Sequence, residues 1–217
     1  NEKGFEIFVY GDSGFSRDNL SIKRQALEVS KSIANNHKLD DENTFFLQQN
    51  SEAIEMGSFH NDIVSLSNEN IFIAHEKAFQ DRNKLTKLLK NLEAKIDNFQ
   101  FIEISDSEIP LKNIIDSYLL NSQLATNGQN EMMLILPEEV KSYETCMAWL
   151  DKLKQISDIK LYDFVNIRQS MMNGGGPACL RLKVVLDENE TKELNQNFLM
   201  TSEKLDAIKS LIEREYR

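Results

Sequence analysis

Short apolar runs rich in β-branched and aromatic residues alternate along this chain with stretches whose apolar residues recur at helical spacing. The clearest strand pattern is GFEIFVYG at residues 4–11, and the clearest helix pattern covers residues 81–96, where leucines fall on one stripe. No segment rich in proline, glycine and serine interrupts the alternation. We therefore predict a mixed α/β fold, because each apolar sheet face must be buried against helices.

The same rules locate the remaining elements. Further strands are predicted at residues 44–48, 63–66, 70–75, 99–104, 132–136, 160–167 and 180–186. Further helices are predicted at residues 19–37, 111–125, 143–156 and 202–216. A unit of two strands, a helix and a strand is visible once, over residues 63–104, and is echoed only loosely afterwards.

The composition narrows the classes of function. The chain is 41% hydrophobic and carries a formal net charge of −10, with its lysines and arginines scattered among acids. A face that binds nucleic acid needs clustered lysine and arginine, so we expect no nucleic-acid partner. No apolar run approaches the ~20 residues of a membrane span, so no membrane partner is expected. The two cysteines form no disulfide framework, which favours a reducing compartment, the cytoplasm.

The segment RQSMMNGGGPACLRL, residues 168–182, is the most unusual part of the sequence. Three consecutive glycines cost backbone entropy, and such a stretch forms a mobile loop or lets the backbone approach a ligand closely. Cys179 follows these glycines at the lip of a predicted strand, where a thiol can meet a substrate. The alternative is a buried cysteine that acts as a small apolar residue. Cys146 is interpreted in that second way, because it lies beside Trp149 and Leu150 in a predicted helix.

A cysteine nucleophile needs a proton handler, which is usually histidine. Among the three histidines, His60 stands in GSFHNDI, between a glycine and a polar pair. Asp62 lies two residues further on, so in an extended chain both side chains point to one pocket. The carboxylate would then hold a cation while the imidazole moves protons. His37 is interpreted as an ordinary helix-end residue and His75 as an ordinary strand-edge residue.

Two blocks of the sequence resemble a known family. RQSMMNGGGPACLRLKVVL is similar to the cysteine segment of N-succinylarginine dihydrolases, members of the guanidine-modifying (pentein) superfamily. FFLQQNSEAIEMGSFHNDIVSLSN is similar to the histidine segment of the same family. FEIFVYG, SYLLNSQL and MMLILPEE also resemble it, so the similarity runs through almost the whole chain with few gaps.

This resemblance implies a fold and a reaction. Penteins are propellers of pseudo-repeated modules, so we expect a partial α/β propeller built from ββαβ modules. The implied reaction is hydrolysis of N-succinyl-L-arginine, a small-molecule substrate, with two waters. Its products are N-succinyl-L-ornithine, carbon dioxide and two ammonia, in arginine catabolism. Neither a metal nor an organic cofactor is expected.

The resemblance also assigns roles to five residues. Cys179 matches the nucleophile, which attacks the guanidinium carbon and forms a covalent intermediate. His60 matches the histidine that protonates leaving ammonia and then activates water. Asp62 matches an acid that binds the guanidinium. Arg24 matches an arginine whose fork suits the substrate carboxylates, and Asn173 matches another substrate contact.

Residues 1–217 are further expected to form a single region, the C-terminal portion of a pentein enzyme about twice as long. The third catalytic residue of the family, an acid, would then lie outside this chain, and the chain alone is expected to be inactive. A homodimer is expected. Two alternatives stay open: a pentein that acts on another guanidine compound, as deiminases or amidinotransferases do, and a non-catalytic α/β binding domain.

Overall fold

The structure, a computed structural model, describes residues 4–11, 25–180, 186 and 188–216. Contacts between residues divide the chain into two compact units, Lys3–Arg181 and Leu182–Arg217, the second together with Asn1–Glu2. None of the helices in the described ranges is both long and apolar enough to cross a membrane.

The larger unit begins with two parallel strands that a helix connects. Strand β1 (Glu6–Tyr10) pairs along its whole length with β2 (Thr44–Gln48), and both agree with the prediction. The connecting helix α1 (Leu27–Asn36) begins later than the apolar periodicity predicts. It does so because Ala26 is extended and Gln25 has a φ of 41°, and neither conformation continues a helix. Residues 12–24 lie outside the described ranges.

A complete ββαβ module follows a one-turn-and-a-half helix, α2 (Ser51–Glu55). Strand β3 (Ser65–Asn68) pairs antiparallel with β4 (Ile71–His75). Strand β3 begins two residues later than predicted, because Ile63 belongs to a 3-10 turn. Helix α3 (Arg82–Lys95) then leads to β5 (Gln100–Ile104), which pairs in parallel with β4. The order two strands, helix, strand is the one that the sequence predicts for residues 63–104.

Helix α3 shows why these residues form the predicted element. The carboxylate of Asp81 accepts hydrogen bonds from the main-chain N–H groups of Asn83 and Lys84, both at 3.0 Å, and so caps the helix. The stripe that the sequence shows is buried against the sheet, and its buried members are Leu85, Leu88 and Leu92. The capped start and the apolar stripe together fix the position of the helix.

A second ββαβ module repeats the first. Helix α4 (Leu111–Ser117) leads to β6 (Gln123–Thr126), which pairs antiparallel with β7 (Met132–Pro137). Helix α5 (Glu144–Ile156) then leads to β8 (Ile159–Val165), which pairs in parallel with β7. The sequence shows this unit clearly once, and the described part of the chain contains it twice.

The predicted helix over residues 111–125 is wrong in its second half. Helix α4 ends at Ser117 because Tyr118 adopts a left-handed conformation with a φ of 55°. Leu119 and Leu120 continue the apolar pattern, but they are buried in an irregular turn. Their spacing imitates a helix because a buried turn and a buried helix face need the same apolar residues.

The two modules contact each other through their first strands. The side-chain amide of Asn68 donates to the hydroxyl of Thr126 at 2.9 Å, and that hydroxyl donates to the Glu69 carboxylate at 2.6 Å. The core runs through both modules. Its largest fully buried side chains are Ile63, Ile71, Ile73, Leu85, Ile104, Ile109, Leu111, Ile114, Leu119, Leu120, Leu134 and Leu136.

Two predictions about single residues are resolved by burial. Cys146 is 0% exposed, with its Sγ 3.7 Å from the Ser117 hydroxyl, which confirms its role in the core. His75 is 1% exposed, so its interpretation as a strand-edge residue is wrong. Its Nδ1 accepts from the N–H of Lys77 and its Nε2 faces the carbonyl of Ile109, both at 3.1 Å. This pairing fixes a neutral ring with the proton on Nε2, and burial lowers its pKa.

The larger unit ends with helix α6 (Arg168–Met172) and a 3-10 turn, Pro177–Leu180. Most of the predicted strand over residues 180–186 lies outside the described ranges, which omit residues 181–185, and Leu180 at its start belongs to the 3-10 turn. The smaller unit contains α7 (Glu188–Glu193) and α8 (Ser202–Glu215). Helix α8 confirms the predicted closing helix.

Candidate active site

His60 lies on the link between α2 and β3, which buried polar side chains hold in place. Ser58, 0% exposed, donates its hydroxyl to the carbonyl of His60 at 3.1 Å. The side-chain amide of Gln49 in turn donates to the carbonyl of Ser58 at 2.6 Å. The half-buried ring of His60 packs against the ring of Phe59, with 4.9 Å between centroids. The link therefore fixes the main chain of His60 and leaves its ring half-buried beside Phe59.

Asp62 lies in a 3-10 turn, Asn61–Ile63, rather than in an extended strand. The argument that two extended residues share one side-chain direction is therefore wrong here, because a turn rotates successive side chains. Asp62 nevertheless belongs to the site, since its Oδ2 lies 3.9 Å from the Sγ of Cys179. Its Oδ1 is buried and has no hydrogen-bond partner among the residues that the structure describes. A buried carboxylate oxygen without a donor is costly, and a bound cation would remove that cost.

The glycine-rich loop brings Cys179 to this carboxylate. Gly174 has a φ of 83°, which favours glycine, and a Cβ at this position would lie 3.5 Å from the Phe59 ring. The loop thus passes beside the aromatic ring on which the His60 imidazole packs. The 3-10 turn that ends the loop buries Pro177 but leaves Cys179 exposed. The thiol is therefore open to a substrate, as the sequence predicts.

Asn121 is a residue of the site that sequence analysis missed. It is 0% exposed, its Oδ1 lies 3.4 Å from the Sγ of Cys179, and its Nδ2 donates to the carbonyl of Asp62 at 3.3 Å. A Cβ at Gly176 would lie 2.0 Å from this Oδ1, so packing requires glycine there. Sequence analysis missed Asn121 because the predicted helix over residues 111–125 made it an ordinary polar residue on a helix face. The available signal was three consecutive polar residues, Asn121, Ser122 and Gln123, which follow Leu119 and Leu120.

Tyr118, whose left-handed conformation ends α4, lies at the same place. Burial raises the pKa of its phenol, and the charges of Cys179 and Asp62 raise it further. A Cβ on Gly176 would lie 2.9 Å from the Cδ2 of Tyr118. The neutral phenol ring therefore forms part of the wall behind the cysteine.

The other predicted residues are placed differently. Asn173 is exposed, and its side-chain amide donates to the carbonyl of Gln169 at 3.0 Å, which holds it on α6. The structure does not bring it against Cys179 or Asp62. Arg24 lies outside the described residues. Of the five predicted residues, Cys179 and Asp62 are in contact and His60 lies on the same link as Asp62.

This arrangement has a definite chemical capacity. It combines an exposed thiol, a carboxylate oxygen that lacks a donor, and an imidazole on the carboxylate's own link. A thiol supplies a nucleophile, a carboxylate holds a cationic group beside it, and an imidazole transfers protons. Covalent attack on a carbon within a planar cation needs these three functions.

The sequence is similar to a family of hydrolases along its whole length. The sequence profile described as succinylarginine dihydrolase matches residues 1–217. An N-succinylarginine dihydrolase of Pseudomonas putida (strain GB-1) is 39% identical over 225 residues, which cover 100% of this chain and 49% of that protein. One of Shewanella loihica is 37% identical over 220 residues, which cover 99% and 49%. The chain spans about half the length of these curated relatives.

A solved structure shares the fold. It is an apo crystal structure of an arginine dihydrolase from the ornithine–ammonia cycle in cyanobacteria, with a TM-score of 0.51 and 13% sequence identity. The match covers 85% of this chain and 24% of that one. At this identity the likeness concerns the fold alone.

Proposed function

The chain belongs to the succinylarginine dihydrolase family, and on this premise we propose that its protein hydrolyses N-succinyl-L-arginine through a covalent cysteine intermediate. One substrate and two waters give N-succinyl-L-ornithine, carbon dioxide and two ammonia. The relatives from Pseudomonas putida and Shewanella loihica carry the name of this activity.

One observation in the site supports this reaction above all. The Asp62 carboxylate has an Oδ1 that is buried without a hydrogen-bond partner in the described part of the chain, and an Oδ2 3.9 Å from the Cys179 Sγ. A guanidinium group presents N–H donors in a planar fork, which is the geometry that pairs with a carboxylate. A guanidinium bound to Asp62 would place its central carbon beside the sulfur.

The chemistry then follows from the nature of the electrophile. A guanidinium is stabilised by resonance, so a covalent route through the Cys179 sulfur divides one difficult step into two easier ones. The thiolate forms a bond to the guanidinium carbon, and an amino group leaves as ammonia with a proton that His60 supplies. The neutral imidazole of His60 next takes a proton from water, whose oxygen attacks the same carbon, and the carbon–sulfur bond breaks to free the sulfur and leave a ureido group. A second round of the same steps at that carbon uses the second water, releases the second ammonia and leaves a carbamate. The carbamate loses carbon dioxide to give N-succinyl-L-ornithine. No metal or organic cofactor is needed for these steps.

The remaining assignments concern recognition of the substrate. We propose that Arg24 pairs with carboxylates of the succinylated amino acid, because its guanidinium fork suits carboxylate geometry. We propose that Asn173 contacts the substrate after the glycine-rich loop closes over it. The loop can close because the Asn173 side chain makes only a local hydrogen bond, to the Gln169 carbonyl at the end of α6.

Three features of the whole protein are also proposed. The two ββαβ modules, joined through Asn68 and Thr126, are proposed to be part of an α/β propeller. The protein is proposed to form a homodimer. Cys146 and Cys179 are both free thiols, which suits a reducing compartment such as the cytoplasm.

The test is ammonia release by the protein as its gene encodes it, with N-succinyl-L-arginine and free L-arginine supplied in parallel. We expect release from the succinylated substrate, and we expect Cys179→Ala and Asp62→Asn to abolish it. Cys146→Ala is the matched control, because this second cysteine is buried in the core and should not affect the reaction. Release that persists in Cys179→Ala would contradict the proposed nucleophile. Release from free arginine only would point to a different guanidine substrate.

A further inference from the structure

Asn121 is buried at the point where three segments of the site meet. The side chain is 0% exposed, although asparagine is a mostly exposed residue type in proteins. A buried amide is costly unless its donor and acceptor are both used. Here the Nδ2 donates to the carbonyl of Asp62 at 3.3 Å, and the Oδ1 accepts from the thiol of Cys179 at 3.4 Å. The amide is therefore paired at both ends, with one site residue on each side.

The main chain of Asn121 adds a third connection. Its carbonyl accepts a hydrogen bond from the N–H of Ala178 at 2.9 Å, one residue before the cysteine. The glycine-rich loop also packs on the side chain so closely that a Cβ at Gly176 would lie 2.0 Å from Oδ1 and 2.9 Å from Cγ. Two residues of the cysteine loop are thus fitted to this one asparagine.

The position of Asn121 in the fold explains how it reaches the site. It lies between α4 and β6, just before the first strand of its module. His60 and Asp62 occupy the corresponding place in the preceding module, between α2 and β3. The first strands β3 and β6 are joined by the hydrogen bond from Asn68 to Thr126. The repeat therefore brings the entrance of each first strand to the same side.

We propose that Asn121 is a positioning residue, which holds the Cys179 thiol and the Asp62 segment at a fixed separation from each other. The proposal rests on the proposed function in one respect, namely that Cys179 is the nucleophile. Because the bond from Nδ2 to the Asp62 carbonyl orients the amide, its Oδ1 faces the sulfur as a fixed acceptor. The thiol donates to that acceptor, which sets the direction of the sulfur relative to a guanidinium bound on Asp62.

The charge of the group at position 121 separates this role from simple packing. Asn121→Asp keeps the shape of the side chain but replaces the Nδ2 donor with a second carboxyl oxygen, and a carboxyl group ordinarily ionises more than about four pH units below a thiol. A carboxylate facing the sulfur disfavours the thiolate, so the alkylation of Cys179 should need a higher pH. Asn121→Ala removes the acceptor that stabilises the neutral thiol, so the same alkylation should need a lower pH. Loss of packing alone would not shift the pH dependence of Cys179 alkylation in opposite directions in the two variants.

The experiment measures the rate of Cys179 alkylation by iodoacetamide against pH, with the modified peptide quantified by mass spectrometry, on the protein as its gene encodes it. We expect the midpoint of the profile to rise by about one pH unit or more in Asn121→Asp. We expect it to fall by a fraction of a unit in Asn121→Ala, because a thiol is a weak donor. Ser122→Ala is the matched control, since this neighbouring hydroxyl is equally buried but donates to the Leu119 carbonyl at 2.7 Å.

The outcomes decide between the two roles. An unchanged midpoint in both variants, shifts in one direction, or an equal shift in Ser122→Ala would overturn the proposal. If Asn121→Asp does not fold, the sign of the shift in Asn121→Ala decides, and an unchanged or raised midpoint overturns it. We also expect kcat of Asn121→Ala to fall about 10- to 100-fold with a smaller change in KM, as displaced reacting groups cause. Absence of ammonia release by the unsubstituted protein would refute the proposed function instead, and the alkylation profiles would still test Asn121.

Discussion

Gly176→Ala is a sharp test of how the cysteine loop is built. The added Cβ would lie 2.0 Å from the Oδ1 of Asn121, and 2.9 Å from both its Cγ and the Cδ2 of Tyr118. All three atoms must give way, and the asparagine cannot move without losing its bonds to Asp62 and Cys179. Overpacking of this kind costs about 1–3 kcal/mol, and each lost hydrogen bond costs about 1 kcal/mol. With both bonds lost, we therefore expect the free energy of unfolding to fall by about 3–5 kcal/mol.

Urea denaturation, followed by circular dichroism, measures this change. Gly128→Ala is the matched control, because within the described ranges no atom beyond its two chain neighbours lies within 4 Å of the position that its Cβ would occupy. We expect that control to be neutral or to stabilise the protein by up to about 1 kcal/mol, since alanine restricts the unfolded chain.

A double-mutant cycle identifies the partner. Asn121→Ala removes the two nearest atoms, so it should relieve part of the cost of Gly176→Ala. We expect a coupling energy of about 1–2 kcal/mol between the two substitutions. If Gly176→Ala costs no more than Gly128→Ala, or if the two costs simply add, the close fit between loop and asparagine is not what holds the loop.

Two further predictions follow from burial. Burial lowers the pKa of His75 in the folded protein below its value in the unfolded chain. Burying the neutral ring therefore stabilises the protein fully at pH values above the ordinary histidine pKa, and this stabilisation is lost as the pH falls through the folded-state pKa. We expect the urea concentration at half-unfolding to decrease as the pH is lowered from about 7 to about 5, and to decrease less steeply in His75→Gln. His37→Gln, at an exposed helix end, is the control. Equal pH dependence in His75→Gln and the unsubstituted protein would contradict this expectation. Burial also raises the pKa of the Cys146 thiol, so iodoacetamide at neutral pH should label Cys179 at least tenfold faster than Cys146 in the native protein. Equal labelling of both cysteines before unfolding would be the opposite result, and both should react in urea.

Much of the local structure was predictable because it depends on local periodicity. The strand at Thr44–Gln48 and the helix at Arg82–Lys95 have apolar patterns that fit one element only, and the structure has them within a residue of the predicted bounds. The predicted helix over residues 111–125 failed at Tyr118. A left-handed residue leaves no mark on apolar spacing, so the turn and the strand after it were hidden.

The sequence likewise predicted some features of the candidate site and not others. Cys179, His60 and Asp62 stand in short blocks whose residue types suggest their chemistry. The extended chain predicted for His60 and Asp62 is wrong, because Asp62 lies in a 3-10 turn. The roles of these residues, and those of Arg24 and Asn173, stay predictions.

By itself the sequence determined the alternation of strands and helices, the family and the segments that carry the candidate site residues. These properties follow from which residues are apolar and from short runs of neighbours. Only the tertiary structure decided that Cys179 meets Asp62, 117 residues away, and that a buried Asn121 lies between the two segments. The contact forms because the two modules pack through their first strands. The spacing of apolar residues within one segment does not predict which distant segment packs against it.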